Sequence, residues 1–254
     1  MSEAAIKTAE EIEIMREGGK ILANILNEIK SAIKPGVDVW ELEELFLDLC
    51  KKNNVIPGCK GYESYGLSAF PTGLCTSIND ECVHCFPQRG RVLKDGDIVS
   101  VDTVIKHKDL FVDSAFAAPV GDVSNEKAKL LETSENALYE AISKVKHNVR
   151  VGVLSSKLQK VVEKQGFKVL KDYAGHGIGY EMHEPPEISC YGSKNEGPKL
   201  KEGMTICVES LVGSKSDVVL NTSEWSTKMQ EGDFCIFEHT VLVTKDGCEI
   251  LTKI

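Results

Sequence analysis

Apolar residues recur at helical spacing near the start of the chain: Ile12, Met15, Ile21, Leu22, Ile25, Leu26 and Ile29. Thr8 and Glu11 stand before them as a capping box, so a helix is predicted from there to the Pro35-Gly36 stop. Asp38 with Glu41 caps a second helix, whose apolar face is Leu42, Leu45, Phe46 and Leu49. Residues 54–94 read as strand and loop. Asp95–Phe116 then changes period. It carries two β-branched runs around Asp102 and Asp113, and so predicts a pair of strands. The order repeats afterwards. A helix runs from Ser124 to about Val145, another lies near Ser155–Glu163, and strands follow with Glu209 and Glu238.

The acids in these strands are placed alike. Gly96 precedes Asp102 by six residues, Gly203 precedes Glu209 by six, and Gly232 precedes Glu238 by six. Alternate residues of a strand share a face, so each acid points with small or apolar neighbours. Three acids so placed predict one buried acidic cluster fed by several strands. A two-residue turn at His107-Lys108 would set Asp102 directly opposite Asp113. Two carboxylates in that position repel unless a proton or a cation lies between them, and a divalent metal is the simplest answer.

At 254 residues the chain can bury a large core. Gly36 and Gly152 sit at matching points 116 residues apart, which suggests two similar halves, about 1–120 and 121–254, within one domain. The expected class is α+β, with helices outside antiparallel sheet. A net charge of −9 disfavours a nucleic-acid or anionic-membrane surface. No apolar run approaches the roughly 20 residues of a membrane span, and the N-terminus lacks a signal core. Nine scattered cysteines fit buried thiols of a cytoplasmic protein better than a disulfide frame. Cys82-Val83-His84-Cys85 is formally a CxxC, but it lacks both a thioredoxin-like context and a second metal pair, so it reads as pocket wall.

His176 and His183 lie seven residues apart in YAGHGIGYEMHEPPEISCY, too far for a zinc helix with ligands four apart. That segment, with CTSINDECVHCFP, the VSVD and VDS strands, ICVES and FEHT, resembles the type I methionine aminopeptidases over nearly the whole chain. The resemblance implies the pita-bread (creatinase/aminopeptidase-like) fold of two pseudo-symmetric halves. It implies two divalent metal ions, Co²⁺, Mn²⁺, Fe²⁺ or Zn²⁺, held by Asp102, Asp113, His176, Glu209 and Glu238, with Asp113 and Glu238 bridging. His84 and His183 would hold the scissile peptide, and Glu209 would shuttle the proton. A water shared by the metals would attack the first carbonyl, releasing N-terminal methionine before a small second residue.

By the same resemblance Phe70, Cys75, Met182 and Trp225 line the methionine pocket. The implied partners are the N-terminal Met-peptides of nascent proteins, met at the ribosome, and a monomer is expected. Met1-Ser2 of this chain is itself such a site. The chain departs from the family's usual residues at Leu67-Ser68, Cys85-Phe86, Met182 and Ser210, all expected at the pocket or against the ligands. Three rivals remain: a peptidase cutting before proline, a silent peptide-binding relative, and a thiol redox protein.

Overall fold

The computed structural model describes residues 4–64 and 66–253, so Met1-Ser2 lies outside the described residues. In chain order the elements are α1 (Ala9–Ala32), α2 (Val39–Lys52), β1 (Ile56–Pro57), β2 (Cys75–Ile78), β3 (Ile98–His107), β4 (Leu110–Pro119), α3 (Asn125–Ile142) and α4 (Val151–Lys164). They continue as β5 (Lys168–Val169), β6 (Ala174–Gly177), β7 (Glu184–Ser189), β8 (Thr205–Gly213), β9 (Val219–Asn221), β10 (Thr227–Met229), β11 (Phe234–Val243) and β12 (Cys248–Ile250).

Both predicted capping boxes form. The Thr8 hydroxyl accepts from Glu11 N, and the Asp38 carboxylate accepts from Trp40 N, while Glu11 and Glu41 reach back to the cap backbones. The last predicted helix begins earlier than expected, at Val151, with Arg150 as a cap whose side chain makes no capping bond to the helix backbone. That missing signal explains why the sequence hides its start.

Among the described residues ten strands form one sheet, whose main path runs β1-β3-β4-β11-β8-β6-β7. Every pairing is antiparallel. α1 packs against β3 and β4 and carries α2 beside it, and α3 packs against β8 and β11 and carries α4. The two halves meet where β4 pairs β11. Each half repeats one backbone pattern. Gly36 N donates to Leu93 O at 2.8 Å and Val39 N to Arg91 O at 2.9 Å; Asn148 N donates to Leu200 O at 2.8 Å and Val151 N to Pro198 O at 3.0 Å. The residue matching Gly36 is therefore Asn148, not Gly152. Both are left-handed, at φ +91° and +68°, a conformation open to Gly and tolerated by Asn. Gly152 is instead the second residue of α4, where an added Cβ would stand 2.0 Å from Ser193 O.

The hairpin register also differs from expectation. Val104, not Asp102, pairs with Asp113, and Asp102 pairs with Ala115. The turn residues are Lys108 and Asp109, both left-handed (φ +45° and +70°), as a tight primed turn requires. The shift is two residues. A one-residue slip would turn every side chain over, but a slip of two leaves the faces as they were.

Candidate metal centre

One row of paired residues crosses five strands: Cys75 opposite Asp102, Asp102 opposite Ala115, Ala115 opposite Glu238, and Glu238 opposite Glu209. Paired residues share a face, so three acids from the two halves project together. Asp113 joins them from two positions before Ala115. At the seam, the Thr240 hydroxyl donates to Asp113 O at 2.8 Å and accepts from Asp113 N at 3.0 Å, which fixes that strand against β11. Ser114 Oγ donates to Glu238 O at 2.8 Å on the opposite face.

His176 comes from β6, where a register irregularity lies between Gly175 and Gly177. Its Nε2 is 3.8 Å from Asp113 Oδ2, and its Nδ1 lies 2.9 Å from Gly177 O. Donation from Nδ1 to that carbonyl leaves the Nε2 lone pair facing the acids, the tautomer a metal ligand needs. Ligand atoms of Asp113, His176, Cys207 and Glu238 all lie within 4.8 Å of one another.

The electrostatics of this cluster are costly. Burial pushes the Asp102 carboxyl up to about 6 and Glu209 up to about 8, the latter helped by Asp102. Burial, then Glu238 and Asp102, raises Asp113; burial, then Glu209 and Asp102, raises Glu238. Burial lowers His176 to about 3 and His84 to about 4, with His183 adding to each, and burial lowers His183 too. Asp113 Oδ1 and Glu238 Oε1 are buried with no hydrogen-bond partner among the described residues. Such oxygens call for protons or a cation. The carboxylates gathered around one imidazole therefore fit a divalent cation.

A cavity of about 1600 Å³ opens over this row. Phe70, Cys75, His84, Met182, His183 and Trp225 all line it, together with Asp102, Asp113 and His176. Phe70 packs edge-on to Trp225 (ring centres 5.3 Å), and His84 edge-on to Trp225 (6.2 Å) and Tyr173 (5.6 Å). The His183 ring lies 4.5 Å from that of His176, and its Nδ1 is 3.2 Å from the Tyr62 hydroxyl.

Two expectations need correction. Ser210 does not touch the site. Alternation along β8 turns it to the helix side, where its hydroxyl lies 2.7 Å from Ser134 Oγ and donates to Ser134 O at 2.8 Å. Cys82 and Cys85 do not form the wall either: both are buried behind His84, with Cys85 Sγ donating to Thr227 O at 3.2 Å. Ser68, by contrast, is tied to the pocket, since Trp225 Nε1 donates to its carbonyl at 2.9 Å and Glu224 accepts from its backbone N–H at 2.6 Å.

Residues the sequence reading passed over also stand here. Cys59 and Tyr62 line the cavity, and nothing in the periodicity marks them. Cys207 was visible in principle, because it lies two residues before Glu209 in a strand. Lys7 and Glu184, 2.7 Å apart and 177 residues apart in sequence, hold the His183 loop; only folding joins them. All nine cysteines are free thiols. Among the described residues no helix is long and apolar enough to cross a membrane.

The sequence matches the profile of metallopeptidase family M24 over residues 13–245. Methionine aminopeptidase 1 of Bacillus subtilis (strain 168) is 40% identical over 250 residues, which cover 98% of each chain. The crystal structure of a methionine aminopeptidase from Thermotoga maritima superposes with a TM-score of 0.95 at 38% identity, covering 99% of this chain and 100% of that one. A prolidase from Pyrococcus furiosus superposes with a TM-score of 0.74 at 24% identity, covering 98% of this chain and 65% of that one, a likeness of fold alone.

Proposed function

This chain belongs to metallopeptidase family M24, has the pita-bread fold, and from that premise we propose that it removes the N-terminal methionine of proteins whose second residue is small. The observation that carries the reading is the convergence of Asp113, His176 and Glu238 within 4.8 Å, with two carboxylate oxygens buried and unpartnered. The full-length match to methionine aminopeptidases, rather than a match in fold alone, favours methionine over a proline-directed cut.

Asp102, Asp113, His176, Glu209 and Glu238 would hold two divalent cations, of Co²⁺, Mn²⁺, Fe²⁺ or Zn²⁺. When bound, the pair supplies an acidified water and Lewis-acid polarisation of the scissile carbonyl. The substrate's free α-amine would bind one of these cations, which would restrict cutting to the first residue. The protein's own groups do the rest. Phe70, Cys75, Met182 and Trp225 enclose the methionine side chain and exclude water. His84 and His183, kept neutral by burial, hydrogen-bond the scissile peptide, and His183 donates to the oxygen on which charge develops. Glu209 takes the proton of the attacking water and gives it to the leaving amine.

The whole chain then acts as one catalytic domain, a monomer working in the cytoplasm on nascent chains as they leave the ribosome. Nine free thiols support that compartment. The test joins metal stoichiometry to turnover on Met-Ala-Ser and Ala-Pro peptides. Two cations per chain and methionine release are expected, with both lost in Asp113→Ala. Full metal content and turnover in that variant, or cleavage of Ala-Pro alone, overturns the assignment.

A further inference from the structure

Cys207 lies on β8 two residues before Glu209, so both side chains face the acids. It pairs across the ladder with Thr240, the residue that anchors Asp113. Gly177 pairs with Ile206, which brings His176 alongside. Cys207 is 0% exposed, and its Sγ belongs to the group of four ligand atoms lying within 4.8 Å of one another. Two of the other three members, Asp113 and Glu238, each keep an oxygen that is buried and unpartnered. The contact from Sγ to Thr240 Oγ1 is long, at 3.8 Å. None of the five ligand assignments uses this sulfur.

We propose that Cys207 Sγ is a sulfur ligand to the cation held by Asp113, His176 and Glu238. The inference rests on the metallopeptidase reading and deepens it, by placing one soft donor in an otherwise oxygen and nitrogen set. As the cation enters, the S–H bond gives way to a sulfur–metal bond, and the proton leaves to solvent; nothing is oxidised. One sulfur, one nitrogen and two oxygens suit Zn²⁺ and Co²⁺ better than Mn²⁺. The competing role is a thiol that stays protonated and donates to Glu238.

Cobalt separates the two. The intact protein loaded with Co²⁺ should show an intense thiolate-to-cobalt charge-transfer band in the near ultraviolet. Cys207→Ser should abolish that band while elemental analysis finds cobalt still bound, and Cys75→Ser, which removes another thiol of the cavity wall, should leave it. Where Cys207→Ser does not fold, X-ray absorption on the zinc-loaded parent decides: a sulfur scatterer at about 2.3 Å supports the proposal, and a shell of oxygen and nitrogen alone at about 2.0–2.2 Å overturns it. A band that persists in folded Cys207→Ser also overturns it. Bound cobalt and methionine release without any band removes this inference alone; no bound cobalt and no release removes the peptidase reading with it.

Discussion

Lys7 offers the sharpest test of how the fold holds its site. Its ammonium is 2.7 Å from Glu184 Oε2, the two side chains are 0% and 8% exposed, and Glu184 follows His183 directly. The ammonium also lies 4.6 Å from the centre of the Tyr180 ring. Lys7→Met keeps much of the packing and removes the charge, leaving a carboxylate buried without its counterion. Breaking one partner of a buried pair costs about 3–5 kcal/mol. Glu184 keeps two donors, Tyr180 N at 2.6 Å and Glu181 N at 3.1 Å, which place the loss at the lower end, about 3 kcal/mol. That is a large share of the roughly 5–15 kcal/mol that holds a domain folded. Adding Glu184→Gln removes the orphan charge but keeps an acceptor for both N–H groups, so the double variant should recover about 1–2 kcal/mol. Urea denaturation of the metal-free parent, both singles and the double gives the coupling directly. Turnover of Met-Ala-Ser, measured where Lys7→Met is fully folded, should fall as well, because the loop that loosens carries His183. A single variant within about 0.5 kcal/mol of the parent, or a double variant less stable than Lys7→Met, would refute the reasoning.

Ser210→Ala should cost about 1–2 kcal/mol of stability through its lost bonds to Ser134, and leave metal affinity unchanged; calorimetric metal titration beside a denaturation curve checks both. Gly175→Ala puts a Cβ 2.3 Å from Cys207 O, so a loss of about 1–3 kcal/mol is expected together with weaker metal binding as His176 is displaced; retained metal affinity would count against that packing. The metal-free protein should grow less stable between pH 6.5 and 8. Glu209 is raised from 4.5 to about 8, so its contribution is whole below the unfolded value and is lost as pH rises through the folded one. His176 is lowered from 6.5 to about 3; its contribution is whole above 6.5 and is lost as pH falls, so it is constant across this window. Scanning calorimetry in chelator should show a falling Tm, and a rising one would reject the shift on Glu209.

Helices were legible where the caps carry side-chain oxygen, as at Thr8 and Asp38, because a capping box is local chemistry. The start at Val151 was not, since Arg150 offers its backbone no side-chain bond. The acids were legible for a different reason. Alternation fixes a face without fixing a partner, so Asp102 and Asp113 remained on one side although the turn sat one residue further along, at Lys108-Asp109. The same rule, applied to Ser210, would have sent it to the helices rather than to the site.

The sequence alone thus determined periodicity, caps, and which acids share a face, all of which depend on neighbours within a few residues. It left open what lies across from what. Register, the meeting of Lys7 with Glu184, the Thr240 bonds that tie Asp113 to the other half, and the arrival of Cys207 beside His176 were decided by tertiary structure. Each joins residues far apart in the chain, and their proximity is set by how two packed halves close on one sheet, which no local pattern encodes.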